Sequence, residues 1–155
     1  MTQDYSYLAK EEFKHACAFL DCANYFMTST DRDDAFKRYY HHPVIVNVAF
    51  ACEIFLKSIL LSNGTVGRGH NLKVLIDILS EEDKSFLEEE MFHTYGGNIK
   101  THGVKYLESV SNAFMDWRYS YEKEEISTNA RYLMVLSEAL KKLCLKHLRG
   151  MNKDG

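Results

Sequence analysis

The chain has 155 residues, 46% of them hydrophobic and 26% charged, with a formal net charge of -3 at pH 7 and a pI near 6.2. That length fits a single domain over residues 1–155, able to bury about two thirds of the surface its unfolded form exposes. The composition excludes a low-complexity or disordered protein, and the mild acidity excludes one whose main task is coating nucleic acid through a broad basic surface.

Apolar spacing is helical nearly throughout, and one proline with eight glycines leaves few places for turns. The pattern predicts an all-α antiparallel bundle of about five to six helices. The N-terminus, MTQDYSYLAKEEFKH, carries acids and polar residues where a secretory signal needs a basic start and an apolar run. A cytoplasmic protein is expected.

A first helix is predicted from about Tyr7 to Met27, its stripe running through Phe13, Ala16, Cys17, Leu20, Ala23, Asn24 and Met27. STDRDD, residues 29–34, ends it. An aromatic and basic segment, AFKRYYHH, then leads to Pro43, expected as the first residue of the second helix because its missing N–H would be unpaired there anyway. This second helix, Pro43 to about Asn63, is apolar on almost every side and belongs at the centre of the bundle. It is long enough for a membrane span, but Asn47, Glu53 and Lys57 at its middle favour a buried helix, and no membrane association is expected.

The connection NGTVGRGH, residues 63–70, feeds NLKVLIDIL, with an apolar stripe at Leu72, Leu75, Ile76 and Leu79. Ser80 with Asp83 resembles a capping box for a helix from about Glu81 to His93, whose narrow apolar edge at Phe86, Leu87, Met91 and Phe92 puts it on the outside. After the loop YGGNIKTHG, the residues Leu107, Val110, Phe114, Trp117 and Tyr121 mark one core face. Ser127 or Thr128 caps the last helix, whose apolar face runs from Leu133 to His147 or Leu148.

Two opposed charge runs stand out: six acids and one lysine over residues 80–90, and a basic C-terminus with Lys141, Lys142, Lys146, Arg149 and Lys153. Solvated helix faces explain such runs, as does matching between subunits or to a partner. Cys17, Cys22, Cys52 and Cys144 form no CxxC pair and no metal-ligand spacing with histidines. They read as reduced core residues, and neither a metal nor a cofactor is expected.

Chemistry concentrates in a few places. Glu53 and Lys57 lie one turn apart in ACEIFLKSILL, as do Arg118 and Glu122 in FMDWRYSYE beside the sole tryptophan, Trp117, while His70 sits in the turn GRGHNL. Helical i,i+4 pairs contribute only about 0.2–0.5 kcal/mol each, so a structural network is one reading. The other gathers them into one polar site, with a guanidinium and a lysine for a phosphate and a histidine or carboxylate for proton transfer. RYYHH, residues 38–42, is a competing constellation in which Arg38, Tyr39 and Tyr40, with His42, contact nucleobases and phosphates, or simply cover the core's edge.

EIFLK in a central apolar helix, GHNLKVL opening the next and FMDWRYSYE further on together make most of the chain resemble the HEPN superfamily of small helical-bundle domains. The resemblance implies a homodimer, RNA or nucleotide as ligand, a protein partner encoded nearby, and a place in RNA-linked defence or toxin–antitoxin biology. Active members carry an arginine, four to six intervening residues, then a histidine; here Arg38 and His42 have only three between them, and no histidine follows Arg118 or Arg131 at that distance. By position RYSYE takes that motif's place, which implies a metal-independent ribonuclease centred on Arg118, Glu122 and His70. The alternative is a non-catalytic module of the same kind, binding nucleotide, RNA or a protein partner and mediating dimerisation.

Overall fold

A computed structural model describes residues 4–28, 34–95, 107–118 and 130–152, with only the backbone described at 34–39, 94 and 95. Six helices are described: α1 (Tyr5–Thr28), α2 (Asp34–Ser62), α3 (Leu72–Asp77), α4 (Glu81–Tyr95), α5 (Ala113–Arg118) and α6 (Ala130–Met151). Among the described residues there is no strand, so the chain is an all-α bundle.

α2 forms the axis. Ile45, Val48, Cys52, Phe55, Leu56 and Ile59 are almost completely buried, and burying each large side chain stabilises the fold by about 1.5–3 kcal/mol. α1 packs antiparallel to it, since Phe13 meets Phe55, Phe19 meets Phe50 and Phe26 stacks on Tyr40. α6 runs parallel to α2: the Cys52 thiol approaches the Leu133 carbonyl at 3.8 Å, and the Cys144 thiol donates to Ser58 Oγ at 3.1 Å. Ser58 Oγ in turn donates to the Ala9 carbonyl at 2.7 Å, so one buried hydroxyl joins all three core helices. Tyr40–Ser62 is long and apolar enough to cross a membrane by composition, yet 72% of its apolar window is buried inside the bundle.

The start of α2 differs from expectation. Pro43 lies inside the helix, which begins at Asp34, so AFKRYYHH makes its first turns instead of a separate lead-in. An interior proline removes one backbone hydrogen bond and typically costs about 3 kcal/mol. Tertiary contacts offset that: Tyr40 stacks on Phe26 at 4.6 Å, and His42 Nε2 donates to the Trp117 carbonyl. The C-terminal end of α2 is closed by Gly64 at φ +73°, with Gly64 N–H bonded to the Leu61 carbonyl and Thr65 N–H to that of Leu60, the two bonds of a Schellman cap.

Other expectations need correction. Met27, placed on the α1 stripe, is 57% exposed, and Cys22 is exposed instead of belonging to the core. In α4 the buried edge is Asp83, Leu87 and Met91, while Phe92 faces solvent, because the helix leans on α6 through an i,i+4,i+8 stripe. Ser80 Oγ accepts from Asp83 N–H at 3.1 Å, half of the expected capping box; the Asp83 carboxylate accepts from His147 Nε2 at 2.8 Å instead of reaching back. The opposed charge runs meet within the chain, Lys142 pairing with Glu90 at 2.6 Å and Lys146 with Glu82 at 2.8 Å. The expected core position Tyr121, the Ser127 or Thr128 cap, and the segments 29–33 and 96–106 lie outside the described residues.

Candidate functional site

Glu53 is 1% exposed, in the middle of the most apolar helix. An ionised carboxylate there is tolerable only with its lone pairs occupied. Lys57, one turn on, donates from Nζ to Oε1 at 2.6 Å, and its side chain reaches the surface, 26% exposed. His70 supplies the rest: its Nδ1 stands 3.0 Å from both Oε1 and Oε2. A carboxylate only accepts, so Nδ1 carries the proton and Nε2 is left as the other ring nitrogen, on a side chain 49% exposed.

The backbone around His70 is built to hold that pose. Gly69 turns the chain at φ +84°, in the left-handed region that a residue with a Cβ enters only with strain. Gly67 lets the loop lie against the bundle, since a Cβ there would meet Leu60 Cδ1 at 2.7 Å and Leu75 Cδ2 at 3.2 Å. Asn71 then caps α3 by accepting from Val74 N–H at 3.0 Å and donates its amide to Asn112 Oδ1 at 3.0 Å. Leu72 N–H bonds to the Ser111 carbonyl at 2.9 Å, at the turn where the helical residues 107–110 give way to α5. The GHNL loop is thereby fastened to the segment that leads to Arg118.

Phe114 joins the two halves of the site. Its ring stacks on Phe50 of α2 at 4.6 Å, and it receives the His70 ring at 5.7 Å and the Arg118 guanidinium at 5.6 Å. Arg118 and His70 therefore each contact the Phe114 ring, and Glu53, bonded to Lys57, holds the imidazole from α2. A cation held over a ring face gains about 0.5–1 kcal/mol at an exposed position, enough to bias its rotamer. The remaining residues singled out in the sequence divide differently: Glu122 and the side chains of Arg38 and Tyr39 lie outside the described residues, and His42 is taken up by the Trp117 carbonyl and ring.

The arrangement supplies a carboxylate-oriented imidazole and a guanidinium around one phenyl ring. Among the described residues no group of three or more His, Cys, Asp or Glu side chains is placed to hold a metal ion. A second carboxylate–imidazole pair, Asp83 with His147, escapes sequence reasoning because Asp83 reads as a cap and His147 as one alternative for a core position. Asp83 is 3% exposed and its Oδ2 has no partner among the described residues. Comparison of the chain with protein-family models, curated proteins and solved structures finds no match.

Proposed function

We propose that the protein is a HEPN-like, metal-independent endoribonuclease that acts as a homodimer in RNA-linked defence or toxin–antitoxin biology. One observation carries the reading: His70, tied through Nδ1 to buried Glu53, shares the Phe114 ring with the Arg118 guanidinium. In this reading His70 Nε2 removes the proton of an RNA 2′-hydroxyl, whose oxygen attacks the adjacent phosphorus while the P–O5′ bond breaks. The departing 5′-oxygen takes up a proton, and the products are a 2′,3′-cyclic phosphate and a 5′-hydroxyl. Arg118 balances the charge that develops on the phosphoryl oxygens, Glu53 stabilises the imidazolium, and Glu122 stands as a further proton-transfer group. The homodimer sets two such centres side by side, and a partner encoded nearby holds the activity in check.

A second reading keeps the HEPN-like module but assigns it no chemistry, only the binding of nucleotide, RNA or a protein partner and dimerisation. It is favoured by the completeness of the Glu53 network, which serves the fold by itself. Incubation of the purified protein with end-labelled RNA in the presence of a chelator separates the two. Cleavage with cyclic-phosphate ends is expected, reduced about 10²–10⁴-fold in His70→Ala and about 10²–10³-fold in Arg118→Ala. Equal products from the parent and both variants would remove these residues from any mechanism, and no cleavage by the parent would leave the binding module.

A further inference from the structure

Arg118 stands over Phe114 of its own helix, four residues back, so the contact exists only while the peptides between them keep helical dihedrals. A guanidinium over an exposed ring biases its rotamer by only about two- to fivefold, and the terminal turns of helices fray. α5 is described over six residues, well under the length at which a helix is stable alone, so its course is set from outside. Its start is fixed by the Leu72 bond to the Ser111 carbonyl, the Asn71 bond to Asn112 and the stacking of Phe114 on Phe50.

The far end is held from α2. His42 Nε2 donates to the carbonyl of Trp117, which belongs to the peptide group joining Trp117 to Arg118. The rings reinforce that bond: the His42 imidazole meets the indole at 5.1 Å between centroids with the planes at 89°, and neighbouring His41 does so at 5.9 Å and 86°. An imidazole committed to a backbone carbonyl acts on a ligand through what that carbonyl positions, and here the next residue is the arginine at Phe114.

We propose that His42 is a positioning residue for Arg118: its bond to the Trp117 carbonyl keeps the end of α5 in helical register and so keeps the guanidinium at the ring that also meets His70. The consequence for chemistry rests on the ribonuclease reading above, but the first test involves no RNA. Two variants of the full chain separate the bond from the ring. His42→Phe keeps an aromatic ring against Trp117 and loses the donor; His42→Gln keeps an N–H donor the same number of bonds from the backbone as Nε2. In protein labelled with carbon-13 arginine, the Arg118 δ-methylene signal, assigned by its absence in Arg118→Lys, carries the ring-current shift of Phe114. His42→Phe is expected to lose that shift and His42→Gln to retain most of it, with the circular dichroism of both unchanged. A signal unmoved in His42→Phe, or moved equally in both variants, overturns the proposal.

On RNA, a misaimed guanidinium tells at the transition state. His42→Phe is expected to lower kcat about 10–10²-fold with KM nearly unchanged, and His42→Gln to recover most of the loss. In an Arg118→Ala background His42→Phe is expected to add nothing, because the two residues act as one unit. Additive losses would give His42 a role apart from Arg118 and overturn the proposal. A parent protein that neither cleaves nor binds RNA, with the Arg118 signal responding as expected, would refute the ribonuclease reading and keep the positioning role; cleavage with the same kcat in every His42 variant would do the reverse.

Discussion

Glu53 and Lys57 announce themselves in sequence because charge in an otherwise apolar helix must be compensated. The compensation by Lys57 is readable at i,i+4; the contribution of His70, 17 residues on, depends on a loop course that no spacing rule supplies. Lys57→Met leaves the buried carboxylate with the imidazole alone and is expected to cost about 2–3 kcal/mol, visible as a lower urea midpoint with an unchanged slope. His70→Ala, with Lys57 still bonded, should cost less. The cysteines divide by the same logic. Cys22 is exposed, whereas burial holds the Cys52 and Cys144 thiols in their protonated form, Cys144 pushed up to about 12. Iodoacetamide at pH 8 is therefore expected to alkylate Cys22 in the native protein and to reach Cys52 and Cys144 only after unfolding, as read by peptide mass spectrometry.

At the scale of the elements, sequence periodicity locates α1, α2, α4 and α6 because each has an apolar face long enough to repeat several times. It misplaces the start of α2 because a proline is equally consistent with a helix's first residue and with an interior position stabilised from outside. The placement can be tested directly. With Pro43 inside α2, Pro43→Ala restores a backbone N–H to the helix and is expected to raise stability by about 1 kcal/mol, measured by thermal melting. Were Pro43 the first helical residue, the same change would be neutral or destabilising. Periodicity also reads the segment around Val110 and Phe114 as one helix, whereas the chain breaks at Ser111 and Asn112, where the Ser111 carbonyl bonds to Leu72. That bond belongs to the tertiary fold, and it positions His70 against the arginine-bearing segment.

Over the whole molecule, the opposed charge runs of residues 80–90 and the C-terminus find each other across α4 and α6. Exposed pairs of this kind are worth about 0–1 kcal/mol each, so they orient α4 more than they stabilise it. The core contributes the larger pH dependence. Below pH 9 the Cys144 thiol is protonated in both the folded and unfolded chain; above it the unfolded chain loses the proton while the folded one retains it to about 12. Stability is therefore expected to fall as pH rises from 9 towards 12, by up to roughly 1.4 kcal/mol per pH unit from this group. Urea midpoints at pH 8, 9.5 and 10.5 should decline less steeply in Cys144→Ala than in the parent.

The sequence alone determined an all-α chain with α2 at its centre, the candidate residues Glu53, Lys57, His70 and Arg118, and the need for the charges in α2 to be paired. Those features follow from local rules: apolar period, glycine at a helix end, the cost of burying an ion. Only the tertiary structure decided that His70 is the group that completes Glu53, that Phe114 meets both the His70 ring and the Arg118 guanidinium, and that the acidic and basic segments pair within one chain. Each of these is a contact between residues far apart along the chain. Such a contact is set by how whole helices pack, because its partners are chosen by the shared core and not by their neighbours in sequence.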